Sequence, residues 1–310
     1  FRYGSKNVEI DGFDEPVRIQ GVVIEEIKKI NGEWTVIGSF DTGDYPQLCT
    51  DCFGDLTDPE NDVSVMDAHP NTLDFDYDGN IILNCRNWDT WIKIRRVENE
   101  DGTVTIGSKT LDYDEAIIGR VGGRHNSGYL DRKRVLNDGF SFTDAPASLT
   151  EVSDDDWEEW QWFHCHDVKY WGMKTIGDKQ YPTYTIFDNN MWSRNEFVTG
   201  RYNTSNKHNN ISINPEQDNE EYNFSRYIQL SIDWENHLIK DYKIYFIPNV
   251  YKDQAGGMTM YEEGVFLLSW PSAIKLNDFT TEETQVSGQL YKGAKTLFEV
   301  NTSSYRPNAY

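Results

Sequence analysis

The chain has 310 residues, of which 37% are hydrophobic, 26% are charged and 14% are aromatic. This length suits one large all-β domain or two ordinary domains, and the composition excludes a disordered chain. The charge is −23, from 29 basic and 52 acidic residues, and a field of this sign repels nucleic acid and anionic membrane. No apolar run approaches the roughly 20 residues of a transmembrane helix. We therefore expect no nucleic-acid partner and no membrane insertion, and an anionic substrate would need a local patch of Arg and His.

Short strands and turns alternate along the chain at roughly ten-residue spacing. Residues 17–30 and 33–40 flank Asn31-Gly32, which is a strong hairpin signal. Further strands are predicted at residues 81–86, 90–97, 103–107, 115–121, 160–168, 182–187, 225–233, 240–248, 258–261, 265–270, 273–276 and 285–300. Residues 191–222 are polar and Asn-rich, which predicts a long surface insertion. The absence of a βαβ pattern indicates a propeller or a sandwich, and recurrence of the pattern at about forty to fifty residues favours a β-propeller.

The segment Trp160-Gln-Trp-Phe-His-Cys-His-Asp-Val168 combines imidazoles, indoles and a carboxylate. If it is extended, Trp160, Trp162, His164 and His166 share one face. Asp167 would then be placed to hold a neighbouring imidazole in one tautomer. The simpler interpretation is a polar strand end with two hydrogen-bonded histidines. A metal site that uses His164, His166 and a distant His69 is a further alternative.

Four cysteines and four sequons indicate an oxidising, extracellular compartment. The sequons begin at Asn203, Asn210, Asn223 and Asn301. The first three fall within about twenty residues, as expected of an exposed loop in a secreted protein. Cys49 and Cys52 form a CxxC that fits a small loop disulfide, a redox pair or half a zinc site, and the disulfide ranks first. Cys85 and Cys165 would pair if their strands converge.

An acidic run and the first residue of the chain are also informative. Asp154-Asp155-Asp156 suits solvated loop charges or a structural calcium site. The chain begins at Phe1 without an initiator Met, which suggests a processed or truncated piece of a longer protein.

A propeller gathers loops at one end of its channel, so we expect His69, Arg86 and His166 to lie close together.

A series of motifs, in order over about residues 16–290, resembles the arylsulfotransferase-type β-propellers, in their eukaryotic, fungal-like branch. The motifs are Gly21-Val-Val-Ile-Glu-Glu-Ile with Gly32-Glu-Trp, Asp67-Ala-His69-Pro-Asn71-Thr, Asp78-Gly-Asn80-Ile-Ile-Leu, Cys85-Arg86-Asn, Ile118-Gly-Arg-Val-Gly-Gly123, Trp162-Phe-His-Cys-His166-Asp167-Val, Phe187-Asp188-Asn189 and Ser225-Arg226-Tyr. The resemblance implies about six four-stranded blades in one domain over residues 1–310. The first blades of the family have no counterpart here, so a second chain would supply them or the propeller would close with fewer blades.

The family transfers a sulfuryl group from an aryl sulfate to a phenol through a histidine. The resemblance places His69, His166 and Arg194 in catalytic roles, without a required cofactor. It makes Asn71, Arg86, His164, Asp167 and Arg226 candidates for substrate binding, although an inter-blade salt bridge is an equal alternative for each arginine. Two features depart from the family: no histidine follows His237, and Cys165 replaces the usual Gln. The other function to weigh is a non-catalytic extracellular scaffold or a propeller that binds glycans or proteins.

Overall fold

A computed structural model describes residues 1–9, 16–45, 47–48, 65–86, 90–122, 162, 165–189, 225–246, 256–270, 273–286 and 289–301. It contains two compact units, of which the first comprises Phe1–Ser141 with Asn203–Lys207 and the second comprises Phe142–Tyr202 with His208–Tyr310. Strands dominate the described ranges of both units, which confirms the all-β prediction. Within these ranges, no helix is long and apolar enough to cross a membrane. The propeller and the single domain over residues 1–310 stay predictions.

The first sheet of the first unit is built on one long strand. Its strands are β1 (Arg2–Val8), β2 (Val17–Ile30), β3 (Glu33–Asp41) and β4 (Val65–Asp67). The first half of β2 lies between antiparallel β1 and parallel β4, and its second half pairs with β3. Asn31 and Gly32 have φ angles of 52° and 92°, the left-handed values that a tight type I′ hairpin turn requires. The predicted hairpin is confirmed.

A four-stranded antiparallel meander, here called the first meander, completes the first unit. It comprises β5 (Pro70–Phe75), β6 (Ile81–Cys85), β7 (Thr90–Ile94) and β10 (Ile117–Gly122), in the order β10-β7-β6-β5. The small hairpin of β8 (Arg96–Glu98) and β9 (Val104–Ile106) and a short helix (Tyr113–Ala116) separate β7 from β10. Every residue of β6 and β7 is buried, and apolar residues of this meander share one core with those of the first sheet.

The second unit contains two more antiparallel meanders, joined in one eight-stranded sheet. The second meander comprises β11 (His166–Ile176), β12 (Lys179–Asp188), β13 (Arg226–Asp233) and β14 (Leu238–Phe246). The third comprises β15 (Gly257–Glu262), β16 (Val265–Trp270), β17 (Ala273–Val286) and β18 (Gln289–Asn301). A single parallel bridge, Tyr245 to Lys292, joins β14 to β18.

The second and third meanders also pack against each other through their faces. Phe187, Tyr227 and Tyr245 form one buried cluster with Met and Phe side chains of β15 and β16. The indole Nε1 of Trp171 donates to the carbonyl of Met260 at 3.0 Å, so a polar bond supports this apolar contact. Burial raises the pKa of the Tyr227 and Tyr245 phenols, which keeps both neutral within the core.

Two strand predictions differ from the structure in instructive ways. The strand predicted at 160–168 begins only at His166 within the described residues, and Asp167 has a φ of 56°. The pairing register shifts between His166 and Lys169, so simple alternation does not continue through Asp167. The strand predicted at 115–121 starts with a helical turn, because the Asp112 side chain accepts from the Glu115 N–H and caps it.

A fork-shaped ion pair connects β8 to β2. Arg96 donates from Nε and Nη2 to the two carboxylate oxygens of Glu26, at 2.7 Å each. Both side chains are mostly buried, with 13% and 22% exposure. The bond from Arg96 lowers the pKa of Glu26 below its ordinary value of 4.5, so the folded state favours the carboxylate.

We predict that Glu26→Gln lowers the free energy of unfolding by about 1 kcal/mol at neutral pH. A depressed folded-state pKa contributes stability above the unfolded pKa, and this contribution is lost as pH falls through the folded pKa. The difference between the variant and the wild type should therefore shrink as pH is lowered through 4.5 and below. Urea unfolding at several pH values measures it, with Glu100→Gln, at an exposed turn, as the matched control. A difference that does not change with pH would contradict the assignment.

Candidate functional site

Polar residues gather at one end of the second meander, where three strands begin or end side by side. His166, at the start of β11, pairs with Phe187 near the end of β12, and Asp188 pairs with Arg226 at the start of β13. Asn189 follows directly after β12. The antiparallel register thus brings together residues that are up to 60 positions apart in the sequence, and it places an imidazole, a carboxylate, an amide and a guanidinium in one short row.

The imidazole of His166 is held by the side chain of Asn189. Its Nδ1 forms a hydrogen bond with Asn189 Oδ1. Because an amide oxygen can only accept, Nδ1 carries the proton, and the lone pair of a neutral imidazole is then on Nε2. His166 is half-buried while Asn189 is fully buried. A buried amide therefore orients a more accessible imidazole. This arrangement suits an imidazole that acts as a nucleophile or a base through Nε2.

Arg226 is fixed by a buried ion pair with the neighbouring strand. Its Nε donates to Asp188 Oδ2 at 2.6 Å, with side-chain exposures of 6% and 0%. Two charges that are both removed from water need such a partner, because an unpaired buried charge is costly. The pair carries no net charge and lies within one meander, so it is a structural salt bridge between neighbouring strands. The inter-blade salt bridge that was one alternative for Arg226 stays a prediction.

Asp167 contacts the third meander and a neighbouring lysine. Its Oδ2 accepts from the backbone N–H of Met258 at 2.7 Å, and its Oδ1 lies 2.7 Å from Lys169 Nζ. The left-handed backbone at Asp167 directs these bonds. In the described contacts, Asn189 therefore has the role that the sequence assigned to Asp167, which instead ties the start of β15 to β11.

In the first unit, His69, Asn71 and Arg86 lie at the corresponding end of the first meander. His69 has a φ of 46°, and its carbonyl accepts from the backbone N–H of Arg86 at 2.9 Å. Asn71 Oδ1 accepts from Asn84 Nδ2 at 2.6 Å. Arg86 is buried, with 9% exposure. The structure therefore brings His69 and Arg86 together through the backbone, as close neighbours across β5 and β6.

His69 and His166 lie at similar places in their own meanders. Each lies at the start of the first strand, opposite the end of the second strand, where Arg86 follows β6 and Asn189 follows β12. A left-handed residue stands at both strand starts, His69 in one and Asp167 in the other. His69 lies in the first unit and His166 in the second, and the expectation that they line one pocket stays a prediction.

Cys85 and Cys165 are both fully buried, one in each unit, and their pairing stays a prediction. Asn301, the last residue of β18, pairs with Ala273 through the backbone. The other predicted residues lie outside the described residues, and their assignments stay predictions: Arg194, His164, Cys49, Cys52, Asn203, Asn210, Asn223 and the insertion at 191–222.

A metal ion has no evident site in the described ranges, where no group of three or more His, Cys, Asp or Glu side chains is arranged to hold one. His164 and the acidic run Asp154-Asp155-Asp156, on which the metal and calcium hypotheses depend, lie outside those ranges. Both hypotheses stay predictions.

Comparison with known proteins does not place the chain in a family. No family model matches the sequence, and none of the curated proteins matches it. The geometry of the site and the sequence motifs therefore carry the functional argument.

The contact between His166 and Asn189 predicts one imidazole tautomer. We expect the neutral side chain to be protonated at Nδ1 in the wild type, with a shift towards the Nε2–H form in Asn189→Ala, because the acceptor is lost. Nitrogen-15 NMR of the imidazole distinguishes the two forms, and the exposed His237 provides an internal reference in the same spectra. A wild-type His166 protonated at Nε2 would contradict the proposed orientation.

Proposed function

We propose that this chain is a secreted, arylsulfotransferase-like β-propeller in which His166 accepts a sulfuryl group from an aryl sulfate and passes it to a phenol. The three meanders would be blades of the propeller. The observation that supports the proposal is the hydrogen bond between Nδ1 of His166 and Asn189, which places the lone pair of the neutral imidazole on Nε2, the nitrogen that would act as the nucleophile.

The propeller is supported by the repetition of the four-stranded meander and by the packing of the second meander against the third. Each meander has four antiparallel strands in up-and-down order, as propeller blades have. In the second unit, two successive meanders pack face to face through aromatic and Met side chains. Blades that stack in this way bury both faces of their central strands, and the buried strands β6, β7 and β13 agree with that expectation.

The chemistry at His166 would be two displacements at sulfur. Nε2 attacks the sulfur of the aryl sulfate, an N–S bond forms, and the S–O bond to the aryl group breaks as the aryloxide leaves with the electron pair. The phenol oxygen then attacks the same sulfur, the N–S bond breaks, and the phenolic proton passes to water. Neither step requires a metal or an organic cofactor. His69, Arg86 and Arg194 remain the proposed additional groups for acid–base work and for the sulfate oxygens.

A non-catalytic extracellular scaffold or glycan-binding propeller is the second candidate. It is favoured by the ion pair between Arg226 and Asp188, which lie near His166 in the strand order, because the pair as a whole is neutral and adds no net positive charge to this end of the meander. In that case the bond from Asn189 to His166 would stabilise the end of the second meander without a role in chemistry.

We predict that the protein releases 4-nitrophenolate from 4-nitrophenyl sulfate in the presence of a phenol acceptor. Because 4-nitrophenolate leaves readily as an anion, this donor needs no general acid and tests the nucleophile alone. Without acceptor, mass spectrometry should detect one sulfuryl group on His166. The variant His166→Asn should lose at least 100-fold in rate, on the order expected when a nucleophile is removed.

The control variant is His237→Asn, which changes an exposed histidine in the turn between β13 and β14. It should retain wild-type turnover and modification. Absence of both turnover and a sulfuryl adduct in the wild-type protein would remove the transferase proposal and leave the binding propeller.

A further inference from the structure

His166 lies at an irregular start of β11. It pairs with Phe187, and the next pair joins Lys169 to Thr185. Three steps along β11 therefore span two steps along β12, so β11 contains one extra residue, which is a β-bulge. Asp167, with its left-handed φ of 56°, lies in this bulge.

The bulge decides which face of the sheet carries the imidazole. Without the extra residue, the regular register of β11 and β12 would place His166 opposite Asp188. Directly opposite side chains share a face, and successive residues of a strand alternate between faces. The imidazole would then lie on the face opposite to Phe187 and Asn189. The contact between His166 Nδ1 and Asn189 therefore depends on the bulge.

The bulge is held from the third meander. The Met258 N–H, on β15, donates to Asp167 Oδ2 at 2.7 Å across 91 positions of sequence. The other oxygen, Oδ1, lies 2.7 Å from Lys169 Nζ. At Gly257, a Cβ atom would come within 2.9 Å of Oδ2, so the glycine leaves room for the carboxylate beside β15. Aspartate adopts a left-handed backbone more readily than most residues, and these contacts select that conformation in the folded chain.

A second hydrogen bond fixes β15 along β11. Trp171 Nε1 donates to the carbonyl of Met260 at 3.0 Å. Asp167 and Trp171 thus bond to alternate residues of β15, one to an N–H and the other to a C=O group, as a neighbouring strand would. Trp171 lies four positions beyond Asp167, at a second shift of the register. The two bonds join the same meanders, and one of them is made by the residue next to His166.

We propose that Asp167 is a positioning residue for His166: through the Met258 N–H, the third meander holds the bulge that brings the imidazole to Asn189. The geometric part of the proposal stands on these contacts, and its catalytic meaning rests on the proposed function. If His166 accepts the sulfuryl group, the direction in which Nε2 points is set by the contact between two meanders.

Nitrogen-15 NMR of His166 at about pH 8.5, where a free imidazole is neutral, tests the geometric part. Asp167→Ala removes the acceptor and disfavours the left-handed backbone, so the ratio of the Nδ1–H to the Nε2–H form should fall about fivefold, which corresponds to one ordinary hydrogen bond. Gly257→Ala should change the ratio in the same direction, because its Cβ displaces the carboxylate. Asp167→Asn should keep the wild-type ratio, since its amide oxygen accepts from the Met258 N–H and asparagine tolerates this backbone.

Trp171→Phe is the matched control, because it removes the bond to Met260 and keeps an aromatic ring. It should leave the His166 ratio unchanged, and circular dichroism should show native folding in all four variants. If Asp167→Ala does not fold, Gly257→Ala carries the test. A wild type without the Nδ1–H form, an unchanged ratio in Asp167→Ala or Gly257→Ala, a fall in Asp167→Asn, or an equal fall in Trp171→Phe would each overturn the proposal.

Release of 4-nitrophenolate from 4-nitrophenyl sulfate tests the catalytic part. Asp167→Ala should lower kcat about fivefold with KM unchanged, because the nucleophile is misdirected while donor binding is retained, and Asp167→Asn should keep wild-type turnover. A wild type without turnover would remove the proposed function, and the tautomer ratios would still decide the positioning role. Wild-type kcat in a variant whose ratio has fallen would overturn the catalytic part.

Discussion

Burial of both faces of the central strands is the constraint on which this structure depends. An antiparallel sheet commonly has one face in contact with solvent and an alternating pattern of polar and apolar residues. Strands β6, β7 and β13 do not follow that pattern, because nearly all their residues are buried. A sheet with such strands must be covered on both sides. In the second unit, the third meander covers one face of the second through the Phe187 and Tyr227 cluster.

Polar residues on these buried strands must find partners within the protein. Lys93 of β7 has 1% of its side chain exposed, and its ammonium lies 2.5 Å from Asp76 and 2.7 Å from Asp78. These two ion pairs fix the turn between β5 and β6, which carries both aspartates, to β7. The ion pair between Arg226 and Asp188 likewise connects β13 to β12. Such pairs cost desolvation energy, and they are satisfied in only one strand register, so they help to specify the sheet pairing.

The sequence predicted most strands because their signals are local. The turn at Asn31-Gly32 and the alternation around it define β2 and β3 without reference to the rest of the chain. β1 was not predicted, because Arg2–Val8 is mostly exposed and polar and is a strand only through its pairing with β2. The role of Asn189 was also missed, although the motif that contains it was noted. Its partner His166 is 23 residues away, and that proximity depends on the register and the bulge of β11.

The similar places of His69 and His166 in their meanders connect the fold with its candidate chemistry. A residue with left-handed backbone stands at or just before the first strand of each meander: His69, Asp167 and, in the third meander, Gly256, with a φ of 121°. For residues other than glycine this conformation costs roughly 1–2 kcal/mol. The fold must therefore stabilise it through hydrogen bonds such as those from the Arg86 N–H to the His69 carbonyl and from the Met258 N–H to the Asp167 carboxylate. At Gly256, a Cβ atom would come within 2.5 Å of the Phe187 ring, and glycine is required for packing as well.

The third meander thus has the same strand start without an imidazole. Because the same backbone feature persists where no histidine is present, it belongs to the architecture of the repeat. An imidazole stands at this left-handed position in the first meander, at His69, whereas His166 lies one residue before the left-handed Asp167. The imidazoles are therefore additions to that architecture, as expected of functional groups placed on a repeated scaffold.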